Sequence, residues 1–137
     1  MNTETAGFRE IEHTADWELQ VWAPDLQALL EQAARGMYAL SGARLESRPR
    51  QIYLLEMEAS DPESLLVTFL SELLYYGEQE GLGFDSYQLH LDGNTLRAEL
   101  GGAPLDTIDK EIKAVTYHNL DIHEGPHGLE VKIVFDV

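Results

Sequence analysis

The stretch Leu129-Glu130-Val131-Lys132-Ile133-Val134-Phe135-Asp136-Val137 decides how this chain folds. Leu129, Val131, Ile133, Phe135 and Val137 alternate with Glu130, Lys132, Val134 and Asp136, and a period of two is the signature of a half-buried strand. Chain ends fray unless something ties them down. Here the pattern runs to the last residue, so the reading is a C-terminus fixed in a sheet. Asp136 then falls on the face away from the core, beside the terminal carboxylate of Val137. Two anionic groups so close repel unless donors or a cation lie between them. The end of the chain is therefore a candidate cation site.

Working back, Glu111-Ile112-Lys113-Ala114-Val115-Thr116-Tyr117-His118 begins a second strand, read as Glu111–Ile122, and a loop from His123 to Gly128 joins it to the last one. Before these, Tyr87, Leu89 and Leu91 alternate into Asp92-Gly93-Asn94, and Leu96, Ala98 and Leu100 alternate out. Asp-Gly between alternating runs is a hairpin signal. Gly101 to Lys110 reads as a loop with a short helical turn near Asp106.

Two helices are expected upstream. Asp25 is an N-cap ahead of Leu26, Leu29, Leu30, Ala33, Met37 and Leu40, which form an apolar stripe ended by Ser41-Gly42. Asp61-Pro62 starts the other, with Leu65, Leu66, Phe69, Leu70, Leu73 and Tyr76 inward; Gly77, Gly81 and Gly83 mark its exit. Ala43 to Arg50 reads as a polar, basic, mobile connection. Ile52 to Ala59 has apolar residues on both faces at first, which predicts a central strand covered on both sides at one end. At the start, Phe8–Glu12 is a strand. From Asp16 the alternation is clean, with Trp17, Leu19, Val21 and Ala23 inward. Strands outnumber helices and hairpins dominate, so the expected fold is α+β: a two-layer sandwich of one mostly antiparallel mixed sheet, with two main helices on one face. The 137 residues are read as a single domain, 1–137.

Composition narrows the function. Asp and Glu outnumber Lys and Arg by 25 to 9, a formal net charge of −16. Such a surface repels phosphate backbones, so no direct nucleic-acid binding is expected; a basic protein partner or a divalent cation fits better. An acidic surface that only keeps the protein in solution fits the number equally. There are no cysteines, hence neither disulfides nor thiolate metal sites. No apolar run approaches the roughly 18–20 residues of a membrane span, and the acidic start lacks a secretory pattern, so a cytoplasmic location is expected.

Acidic and histidine residues recur at strand ends: His13, Asp16, His118 and Asp136. Calcium and magnesium prefer carboxylate, carbonyl and water oxygens, which Asp16 and Asp136 supply if their strands are neighbours. Two solvated aspartates at strand ends would leave the same pattern. His13 is a metal ligand, an acid–base group, or a histidine bonded to its own turn. The strand parity of His118 predicts a satisfied, partly buried ring, and Tyr117 on the other parity predicts packing. His123 and His127 bracket a Gly/Pro loop and are expected to be exposed. No phosphate-binding glycine loop, nucleophile elbow or two-histidine zinc helix occurs.

Together, Phe8-Arg9-Glu10-Ile11-Glu12-His13-Thr14-Ala15-Asp16, the stretch Glu111 to His118 and the terminal Val134-Phe135-Asp136-Val137 resemble the archease family. The motifs lie at opposite ends in the family's order, and length and element pattern match over essentially the whole chain. Trp17-Glu18 follows Asp16 where small or aliphatic residues are common, which leaves metal chemistry untouched. The resemblance implies a non-catalytic activator of the RtcB-type RNA ligase. That ligase joins ends carrying a 2′,3′-cyclic phosphate or 3′-phosphate to 5′-hydroxyl ends, as in tRNA splicing, using GTP, Mn²⁺ and a guanylylated histidine of its own. The implied role is to promote guanylylation and repeated turnover. The resemblance also implies a divalent-cation site, calcium with manganese or magnesium as alternatives, at Asp16, Asp136 and Val137. Asp106, Asp109 and Glu111 are nearby oxygens not counted in it. Two rival roles are a chaperone-like modulator of a tRNA cytosine methyltransferase and a small metal-dependent hydrolase, the latter opposed by the lack of a nucleophile.

Overall fold

The computed structural model describes residues 5–12 and 17–137. The elements are β1 (Gly7–Ile11), β2 (Trp17–Ala23), α1 (Leu26–Ser41), β3 (Arg44–Leu45), β4 (Gln51–Glu58), α2 (Pro62–Glu80), β5 (Leu82–Asp92), β6 (Thr95–Thr107), β7 (Ala114–Val115), β8 (His123–Gly125) and β9 (Gly128–Asp136). The expected α+β sandwich is the observed class. Its described strands form two sheets, and every pairing is antiparallel.

In the first sheet the order is β1-β2-β9-β7, with β8 also paired to β9. The last strand is thus fixed in a sheet as its alternation predicts, and it is interior to that sheet. Val131, Ile133 and Phe135 are buried, and Lys132 and Asp136 are exposed. In the second sheet β6 is the spine, flanked by β5 on one side and by β4 and β3 on the other. Both helices touch both sheets: α1 packs on β1, β2, β9 and β5, and α2 on β4, β5 and β7. One continuous apolar core results, in which Phe69, Phe84 and Phe135 are the largest wholly buried side chains.

The caps form where the sequence placed them. Asp25 accepts from the Ala28 amide at 2.8 Å and Asp61 from the Ser64 amide at 2.7 Å, each satisfying an otherwise orphaned first-turn donor. Gly42 and Gly81, both at φ 68°, close the two helices in the left-handed conformation that a glycine adopts without a Cβ penalty.

Four local readings are corrected. β4 is an edge strand rather than a central one, and Ile52 and Leu54 are 68% and 77% exposed. The supposed loop Gly101–Lys110 is strand as far as Thr107, with no helical turn near Asp106. Gly101 and Gly102 lie so close to β5 that a Cβ on Gly102 would collide with the Gly83 carbonyl oxygen, so these glycines serve sheet packing, not a turn. The strand read as Glu111–Ile122 shrinks to Ala114–Val115, because Asn119 takes a positive φ of 51° and the Leu120 amide turns back to the Tyr117 carbonyl. Finally, part of the connection Ala43–Arg50 is ordered: Leu45 pairs with Leu105, and Arg50 makes a two-pronged contact with Asp85 at 2.7 and 3.2 Å.

The Ser64 amide holds the Asp61 carboxyl below its usual range, with the Ser64 and Ser60 hydroxyls adding to the effect. A depressed folded pKa contributes stability that is present above the unfolded value and lost as pH falls through the folded one. Asp61→Ala should lower the melting temperature at neutral pH. The gap between the two proteins should close as pH falls below about 4, where the unfolded carboxyl also protonates; thermal melts across an acid series measure it.

Candidate functional site

The site is built at one end of the first sheet, where β2, β9 and β7 lie side by side. Trp17 opposes Phe135, and Val115 opposes Phe135 from the other flank. Phe135 is buried beneath them, which leaves its neighbour Asp136 pointing to solvent. Asp16 and His13 lie outside the described residues. What is described is that the residue following Asp16 and the residue preceding Asp136 are cross-strand partners.

The main chain here is held firmly. The Asp136 carbonyl accepts from the Lys113 amide at 2.7 Å, and the Val134 carbonyl accepts from both the amide and the hydroxyl of Thr116, at 3.0 and 2.9 Å. Thr116 Oγ1 in turn accepts from the His118 amide at 3.3 Å. A second clamp fixes the approach segment: the Ser41 carbonyl at the end of α1 accepts from the amides of Asp109 and Lys110, at 2.9 and 3.1 Å. Lys110 then carries its ammonium 5.9 Å from the centre of the Trp17 ring, within cation–π range. Val137 packs its side chain against the core, which positions this residue from below.

An open depression of about 220 Å³ lies beside Asp136, walled by Thr116, His118, Val134 and Phe135. The structure therefore brings His118 to the same place as Asp136, but not as expected. The ring is exposed and its Nε2 lies 3.3 Å from the side-chain Nδ2 of Asn119, because strand parity ends at Val115. Tyr117 is 59% exposed rather than packed. His123 and His127 are exposed as expected, His123 lying 3.4 Å from an Asp121 carboxylate oxygen. Asp106 and Glu111 are elsewhere: Asp106 belongs to β6, and Glu111 lines a separate apolar cavity of about 90 Å³ between the ends of the helices. Asp109 packs against Gly42. Among the described residues no three acidic or histidine side chains converge. Thr116 and Lys110 escaped the sequence reading. Thr116 has a signal in hindsight, a β-branched hydroxyl where the strand stops, whereas the approach of Lys110 to Trp17 has none.

The archease protein family matches residues 8–137. This chain belongs to the archease family. It is 33% identical over 129 residues to the protein archease of Thermococcus gammatolerans, with 88% of this chain and 91% of the relative covered. It is 32% identical over 138 residues to that of Methanopyrus kandleri, covering 95% and 99%. The fold is also that of a crystal structure from Thermotoga maritima described as an archease and possible chaperone, with TM-score 0.70, 23% identity and coverage of 94% and 96%. The solution structure of a Methanobacterium thermoautotrophicum protein gives TM-score 0.70 and 23% identity, covering 96% and 99%. No described helix is long and apolar enough to cross a membrane.

Thr116→Val keeps the branched shape but removes the hydroxyl that ties His118 to Val134. It should cost about 1 kcal/mol, the net worth of such a bond, and speed hydrogen exchange of the His118 amide. Chemical denaturation and exchange measured by NMR give the two readouts.

Proposed function

We propose that this member of the archease family is a non-catalytic activator of an RtcB-type RNA ligase. On this reading it promotes guanylylation of the ligase's own histidine and supports repeated turnover in tRNA splicing or RNA repair. A divalent cation, calcium by preference, is held by Asp16, Asp136 and the terminal carboxylate of Val137. The observation that carries the reading is the β2–β9 register, in which Trp17 and Phe135 are partners. Asp16 is the covalent neighbour of the first and Asp136 of the second.

The chemistry of the donors supports it. Carboxylate oxygens are the ligands a hard cation takes, and a bound ion relieves the repulsion between acidic groups crowded at one strand end. The protein's part is to hold Asp136 on a fixed main chain, through Lys113 and Thr116, with Val137 anchored by its apolar side chain. When bound, the ion supplies a compact positive charge that oxygen groups of a partner can share. A net charge of −16 favours a docking surface on a protein over contact with RNA, and steers approach at low salt. Manganese and magnesium satisfy the same donor set less selectively. The description of the Thermotoga maritima structure as a possible chaperone favours a second reading, chaperone-like modulation of a tRNA cytosine methyltransferase.

Ligation under single- and multiple-turnover conditions, with and without this protein, separates the two. The expected result is a rise in multiple turnover that disappears in Asp16→Ala and Asp136→Ala, both of which keep a wild-type circular dichroism spectrum. Full stimulation by folded Asp136→Ala would sink the proposed site. No stimulation at all by the wild type, together with rescue of the methyltransferase from aggregation, would transfer the function to the chaperone reading.

A further inference from the structure

The two most exposed large apolar side chains among the described residues, Ile52 and Leu54, stand together on the outer face of β4. β4 is also an edge, paired with β6 through eight uninterrupted register positions and lying at the end of its sheet. Natural edges are blunted by proline, lysine, bulges or side-chain covers, because a bare edge recruits another strand. The other flank of this sheet is treated in that way. On β5 the Leu91 amide donates to Gln27 Oε1 at 3.0 Å, the Asp85 carbonyl accepts from Arg35 at 3.5 Å, and a bulge interrupts the strand between Phe84 and Ser86. Gln51–Glu58 contains no lysine, no proline and no bulge. Among the described residues its outer edge has no side-chain cap.

What fits this edge is written along it. On the outer face the strand reads Ile52, Leu54, Glu56, Glu58, and Arg50, just before its start, lies over the same face against Asp85: a cation, two apolar residues, two anions. Such a series is self-complementary in the antiparallel sense alone. With a two-fold axis at Tyr53, Ile52 of one copy faces Leu54 of the other and Arg50 faces Glu56. A parallel arrangement would set like charges opposite one another, which cross-strand pairing penalises. Within one chain Arg50 already contacts Asp85, and Glu56 contacts Arg97 at 3.0 Å, so the junction would continue an alternating row of charges already laid down.

We propose that β4 pairs antiparallel with β4 of a second copy of this chain, joining two four-stranded sheets across an isologous two-fold interface. The pairing satisfies the bare edge and covers Ile52 and Leu54. It lies on the second sheet, away from the Asp136 end of the first, and does not depend on the ligase reading.

Sedimentation equilibrium over a range of protein concentrations tests it. The wild type should approach twice the monomer mass, and Leu54→Lys should stay monomeric with an unchanged circular dichroism spectrum. Arg50→Glu and Glu56→Arg should each weaken association roughly tenfold, since the symmetry alters two cross-strand contacts at once. The double variant should recover most of the loss. A wild type that is monomeric throughout, a dimer indifferent to Leu54→Lys, or a double variant no better than either single would each overturn the pairing.

Discussion

Everything in this molecule depends on the contact between β2 and β9. Seven register pairs run from Trp17–Phe135 to Ala23–Leu129 and close a gap of more than a hundred residues. Closing a loop of that length costs entropy that local contacts do not return, so the pairing has to be supported by burial. It is: Leu19, Val21, Ala23, Val131, Ile133 and Phe135 form an almost wholly enclosed apolar floor, on which α1 lies. Breaking this pairing would unseat a helix, cut the β1–β2 pair off from the rest of its sheet and separate the two ends that build the candidate site. The constraint that makes the fold is the constraint that makes the site.

Electrostatics contribute little to holding the structure together. The arginine ion pairs between described side chains, Arg35–Glu31, Arg50–Asp85 and Arg97–Glu56, are all substantially exposed, where such pairs are worth about 0–1 kcal/mol. α2 ends on Glu78, Gln79 and Glu80 without a basic residue in its last turn, against the preference of the helix dipole. The acidic surplus is therefore a cost carried by the core and the caps. A surface kept in this state at some expense is consistent with a partner, or an ion, that meets it from outside.

The sequence was most legible where one chemical pattern had one structural outcome. Alternation in Leu129–Val137, the two Asp N-caps, the Gly42 and Gly81 stops and the hairpin at Gly93 each arose where local physics left no competitor. Legibility failed where one residue type serves two ends. Glycines signal turns, yet Gly101 and Gly102 allow β6 to lie close on β5. Apolar residues signal burial, yet Ile52 and Leu54 face outward. The alternation around Lys113–His118 suggested a long strand, yet only Ala114–Val115 is strand, and the chain beyond it turns at the left-handed Asn119. Of the candidate site, the alternation placed Trp17 and Phe135 on inward faces, but that their strands are neighbours was left open, since a period of two does not choose a partner strand. The hydrogen bonds of Thr116 and the stacking of Lys110 on Trp17 were not visible, since they join segments with no common period.

The place of β9 has a consequence for how the protein is made. It lies between β2 and β7 and also carries β8, yet it is translated after all of them. A chain emerging from the ribosome can assemble the hairpin of β5 and β6, then fold that sheet back onto β4 and α2, while β1 and β2 wait with one flank unpaired. Those two strands, with Leu19 and Val21 uncovered, are the part of the nascent chain most exposed to wrong partners. They are relieved only when Gly128–Asp136 is free. The half of the molecule that carries the candidate site is therefore the last to exist.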